Sequence, residues 1–161
     1  MAGARSTLKN LIRIDDKSLE AYLLAGQVEE ASGNFVDAIV QYRKALALDG
    51  GHVFALNNLA YLLSRDPAHL EEALGFARKA REQVPESPEV LDTLGWLYYR
   101  KGLYDLAAKE LEQALAKAQW PAIQFHLALT YNRLGLTEKG GRLLATALAK
   151  DPKLADSEAL R

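Results

Sequence analysis

Apolar positions in this chain recur with two superimposed periods. Within a segment they return every three or four residues, the spacing that places side chains on one face of a helix. The whole arrangement then repeats along the chain. Its clearest copy is LDTLGWLYYRKGLYDLA, residues 91–107. Here Leu94, Gly95 and Tyr98 share one side of a first helix, Gly102 interrupts the pattern, and Ala107 and Leu111 share one side of a second. The small residue of the first helix recurs at Gly26, Ala60, Gly95 and Ala128, at gaps of 34, 35 and 33 residues. Two helices joined by a tight turn approach closely only where a side chain is nearly absent. The four small positions are therefore predicted to cross Ala38, Ala73, Ala107 and Gly140, with large residues such as Tyr98 and Leu111 filling the remaining volume. Gly33, Gly102 and Gly135 are predicted to end first helices in a left-handed conformation.

The register divides a single domain, 1–161, into repeats at 19–52, 53–87, 88–120 and 121–154, with a tail at 155–161. Residues 1–18 read as the second helix of a truncated repeat plus a linker. Ala4, Leu8, Leu11, Ile12 and Ile14 match Ala38, Tyr42, Ala45, Leu46 and Leu48 shifted back by 34. The expectation is a fragment of a longer array; a stray N-terminal capping helix is the alternative. Glu29 stands where the first helix of repeat one should carry an aromatic, which is expected to weaken that repeat's packing. The turn of repeat two, 64–69, holds one extra residue, and Asp66-Pro67 breaks the helix there. Pro121 suits a first helical turn. Gly140 and Gly141 lie inside the last second helix, each costing about 1 kcal/mol against alanine, so that end is predicted to fray first.

These residues carry a resemblance. Leu91 in the place of a tryptophan, Leu94-Gly95, Tyr98, Ala107, Leu111 and Ala114 resemble, residue by residue, the tetratricopeptide repeat (TPR), whose period is about 34 residues. The resemblance implies an all-α fold, a right-handed α-solenoid of helix-turn-helix repeats. Stretches such as NNLAYLL and LDTLGW also resemble bacterial TPR proteins of the envelope, including those associated with exopolysaccharide export and protein sorting.

Composition narrows the function classes. With 20 basic and 21 acidic residues the formal charge is -1, which supplies no electrostatic drive toward nucleic acid or an anionic membrane. There are no cysteines, hence no disulfide, thiolate metal site or cysteine nucleophile, and the redox compartment stays open. No apolar run approaches the roughly 18 residues of a membrane span. No signal peptide is visible, but in a fragment that leaves localisation open between cytoplasm and bacterial periplasm or envelope. His52, His69 and His126 lie in separate contexts with no partner at metal-ligand spacing. The first two read as solvated turn residues, and the third as a groove-edge or packing residue. No catalytic constellation, cofactor site or metal site is expected.

The TPR resemblance further implies that first helices line a groove. Its second, fifth, ninth, twelfth and thirteenth positions carry Phe54, Asn57, Tyr61, Ser64 and Arg65 in repeat two and Glu89, Asp92, Trp96, Tyr99 and Arg100 in repeat three. Repeat four adds Ala122, Phe125, Leu129, Asn132 and Arg133, and repeat one contributes Glu20, Leu23, Gln27, Glu30 and Ala31. Phe54, Tyr61, Trp96, Tyr99 and Phe125 would form an aromatic strip able to anchor a partner, with Trp96 at its centre; packing between repeats is the alternative for each. Arg65, Arg100 and Arg133 could form a donor ladder or simply stand solvated. The clamp by which some TPR proteins grip a chaperone's C-terminal carboxylate would fall at Leu23, Gln27, Asn58, Glu89 and Thr93, and only Asn58 fits. The expected function is a non-catalytic scaffold binding a peptide or helix of a protein partner. A recruiting arm of a larger enzyme or export assembly and a homo-oligomer stacking through terminal repeats are the alternatives.

Overall fold

Serine and proline punctuate the chain where its helices begin. The computed structural model describes residues 2–156; the side chain of Ala4 and most of the expected tail lie outside the described residues. Ser18 Oγ accepts from the Ala21 N–H and starts α2 (Leu19–Ala31); Ser87 Oγ does the same for Val90 at the start of α6 (Pro88–Arg100). Such caps satisfy backbone donors that the first helical turn cannot pair. Pro88 and Pro121 open α6 and α8 (Pro121–Arg133), where a missing N–H costs nothing.

The first helices end as the glycine pattern predicts. Gly33, Gly102 and Gly135 have φ of 77°, 75° and 78°. The following N–H groups of Asn34, Leu103 and Leu136 reach back to the carbonyls of Glu29, Tyr98 and Tyr131, each at 2.9 Å. That closing bond reverses the chain within three residues and starts α3 (Phe35–Leu48), α7 (Tyr104–Lys117) and α9 (Thr137–Lys150). Repeat two differs as its extra residue demands. Between α4 (Val53–Leu63) and α5 (Leu70–Gln83) stands a 3-10 helix, Pro67–His69, started by Asp66 accepting from the Ala68 N–H.

The described residues thus form nine α-helices, from α1 (Ala2–Ile14) to α9, with short 3-10 helices at Pro67–His69 and Pro152–Asp156, and they contain no strand. They fall into two compact units, Met1–Gln83 and Val84–Arg161, where the sequence suggests one undivided array. In the first unit α1 packs on α2, α2 on α3, α3 on α4 and α4 on α5. Its core includes Tyr42, Leu56, Leu59 and Leu74. In the second, α6 packs on α7, α7 on α8 and α8 on α9, while α6 also reaches α8.

The small residues work as close-approach points, with one refinement. A Cβ on Gly26 would lie 2.6 Å from the Tyr42 ring, and one on Gly95 would lie 2.6 Å from Leu111 Cγ. The crowding neighbours are thus the large side chains one turn beyond Ala38 and Ala107. Gly140 is closed in by the Ala128 carbonyl and the Asn132 side chain.

Candidate functional site

In the first unit, the first-helix positions leave a cleft of about 390 Å³ lined by Glu20, Leu23, Leu24, Gln27, His52 and Phe54. Leu24, Phe54 and the nearby Tyr61 of α4 are 50%, 40% and 37% exposed. The Phe54 ring is held edge-on by Tyr42 at 6.1 Å, so its orientation is set by the core beneath it. His52 lies immediately before α4, and its Nδ1 accepts from the Ala55 N–H at 3.4 Å. Rather than a solvated turn residue, His52 is a helix cap; its position, one repeat from Ser18 and from Ser87, carries that signal in the sequence.

Two other expected groove residues of this unit, Asn58 and Arg65, are engaged with their own surroundings. Asn58 Nδ2 donates to the Phe54 carbonyl at 2.9 Å. The Arg65 guanidinium lies 4.1 Å over the Phe35 ring. Asn57 keeps a buried Oδ1 without a hydrogen-bond partner.

The same register positions in the second unit are filled from within. Trp96, Phe125 and Leu129 are only 7%, 2% and 6% exposed and pack with Ala147, Tyr99, Leu144 and Leu154. Trp96, expected at the centre of an open groove, is therefore a core residue. Its indole is sandwiched between Tyr99, with centroids 5.0 Å apart, and His126 at 4.4 Å. Leu154, in the 3-10 helix Pro152–Asp156, joins the same cluster. Arg100 lies 6.0 Å from the indole, and Arg133 Nε donates to the Tyr99 hydroxyl at 3.4 Å. Asn132 is exposed. Asp92, expected to project into a groove, instead meets His126 Nδ1 through Oδ1 at 2.8 Å.

A further polar centre lies on α2. Glu29, at the expected aromatic position, accepts from Arg5 at 2.6 Å and from Asn34 Nδ2 at 2.7 Å. It ties α1 and the α2–α3 turn together where an aromatic would only fill volume. Among the described residues no group of three or more histidine, cysteine or acidic side chains is arranged to hold a metal ion. No described helix is long and apolar enough to cross a membrane.

Comparison with known proteins fits this architecture. A family model described as tetratricopeptide repeat matches residues 93–155. The TPR repeat-containing protein PA4667 of Pseudomonas aeruginosa is 33% identical over 85 residues, covering 53% of this chain and 14% of that protein. The photosystem I assembly protein Ycf3 of Prochlorococcus marinus (strain NATL1A) is 32% identical over 96 residues, covering 55% of this chain and 54% of Ycf3. The chain thus spans a small part of the first relative and about half of the second. Among solved structures, the MamA protein superposes with a TM-score of 0.75 at 22% identity, covering 98% of this chain and 86% of MamA.

Proposed function

We propose that this chain, a tetratricopeptide repeat protein, acts as a non-catalytic scaffold whose partner-binding face lies on the first helices of its first unit. One contrast carries the reading. At the ninth position of the first helix, repeat two presents Tyr61 to solvent at 37% exposure, whereas repeats three and four bury Trp96 and Leu129. At that exposure a ligand can reach Tyr61, whereas Trp96 and Leu129 are covered. Exposed aromatic and branched residues on a surface fixed by stacked helices offer contact area at small entropic cost, and Phe54 is already oriented by Tyr42. The occupant that suits this face is a peptide or helix of another protein. The fold supports protein interaction, and the name of Ycf3 as an assembly protein favours a role in bringing partners together.

The test is capture of partners from the native host by the wild-type chain and by Phe54→Ala/Tyr61→Ala, with helical melting curves as the folding control. Each buried anchor in an interface is worth about 2 kcal/mol, or about thirtyfold in Kd. Partners held by the wild type should be lost by the folded double variant. An unchanged set of partners would place the binding face elsewhere.

A further inference from the structure

Building on that reading of the first unit, we propose that its cleft selects a peptide segment in which a lysine or arginine adjoins a large apolar side chain. The cleft's volume of about 390 Å³ lies at the small end of the range for binding pockets, enough for one large side chain and its flanking backbone. Leu23, Leu24 and Phe54 provide the apolar surface.

Charge then decides which neighbour that side chain carries. Glu20 is the only acidic or basic side chain, histidine aside, among the residues lining the cleft. Among the described residues it forms no hydrogen bond or ion pair. It stands in the first turn of α2, where the positive end of the helix favours a carboxylate. The other groove-side carboxylate of this repeat, Glu30, already accepts from the Tyr42 hydroxyl at 3.0 Å. Arg65 is laid over Phe35. The charge left for a ligand is therefore negative, and a peptide's acidic side chain or terminal carboxylate meets no lysine or arginine in the lining. A lysine or arginine fits both features, since its aliphatic stem can lie along Leu24 while its head reaches Glu20. Gln27 and His52 also line the cleft and bring polar groups that the backbone of an extended segment can bond.

The test is a display selection with random heptapeptides on the immobilised full chain, run in parallel on Phe54→Ala. Sequences that need Phe54 should carry lysine or arginine within two positions of leucine, isoleucine, methionine or phenylalanine. The strongest, resynthesised, should lose about three- to fivefold in Kd on Glu20→Gln, the upper part of the range for an exposed ion pair. Replacing its basic residue with alanine should cost the same, with no further loss when both changes are combined. Phe54-dependent sequences that are acidic or uncharged, or an affinity indifferent to Glu20→Gln, would overturn the charge selection and leave the scaffold reading standing. If no sequence depends on Phe54, the cleft itself is not the binding face and both readings fall.

Discussion

His126 Nδ1 and Asp92 Oδ1 lie 2.8 Å apart, although 34 residues, one repeat, separate them. Their side chains are only 9% and 15% exposed, and the Trp96 ring covers the imidazole. A polar pair at this depth costs little while both members are present and much when one is removed. Asp92→Ala and His126→Ala are each expected to lower stability by about 1–3 kcal/mol in urea unfolding. The double variant should lose less than the sum, with a coupling of at least about 0.5 kcal/mol. Strict additivity would mean that the two side chains act independently.

Adjacent glycines in α9 should respond in opposite directions. Nothing lies within 4 Å of a Cβ built on Gly141, whereas one on Gly140 meets the Ala128 carbonyl at 2.9 Å and crowds Asn132. Gly141→Ala is expected to raise stability by up to about 1 kcal/mol through helix propensity. Gly140→Ala should lower it despite the same propensity gain, because the helices must separate. Thermal melts of the two variants check this directly, and equal shifts would deny the close approach.

The two tryptophans should separate cleanly in fluorescence quenching. Trp120, just before α8, is 44% exposed, while Trp96 is 7% exposed. Acrylamide should quench Trp96→Phe, which keeps only Trp120, several-fold more strongly than Trp120→Phe. Equal quenching of the two variants would contradict the stacked arrangement. Trp96→Ala is expected to cost about 3–5 kcal/mol, as large core truncations do, which makes Phe54 and Tyr61 the better positions for probing a partner.

Alkaline pH should destabilise the protein through Tyr42. Burial raises its phenol well above the ordinary value of 10.0, and the nearby Glu30 carboxylate adds to the effect. Since the folded state holds this proton more tightly than the unfolded chain, the stabilisation is complete below the ordinary value and is lost as pH rises above it. Denaturation midpoints should fall above about pH 10, and Tyr42→Phe should flatten part of that fall. Tyr131, also raised by burial, should contribute in the same direction.

The positions that decide the backbone were legible because each depends on its own few neighbours. Gly33, Gly102 and Gly135 announce their turns, Pro121 its helix start, and Asp66-Pro67 the altered turn. Side-chain environment was less legible, since it depends on what the next element brings. Tyr61 and Trp96 occupy the same register position, yet the sequence does not show that His126 and Tyr99 close over one and leave the other exposed. Nor does Asp92 disclose its partner, because nothing in a helix-period pattern links a fifth position to a sixth position one repeat later. Leu24 escaped notice for a related reason: it lies outside the inherited groove positions but beside a cleft that they form.

Glu29 changes the character of one joint in the chain. Where a tyrosine or phenylalanine would make the seat of α1 indifferent to ions, the contact with Arg5 at 2.6 Å makes part of it answer to them. Arg5 is about one-third exposed, so counterions can reach the pair and compete for it. Ionic strength thereby becomes a dial on how firmly α1 sits against α2.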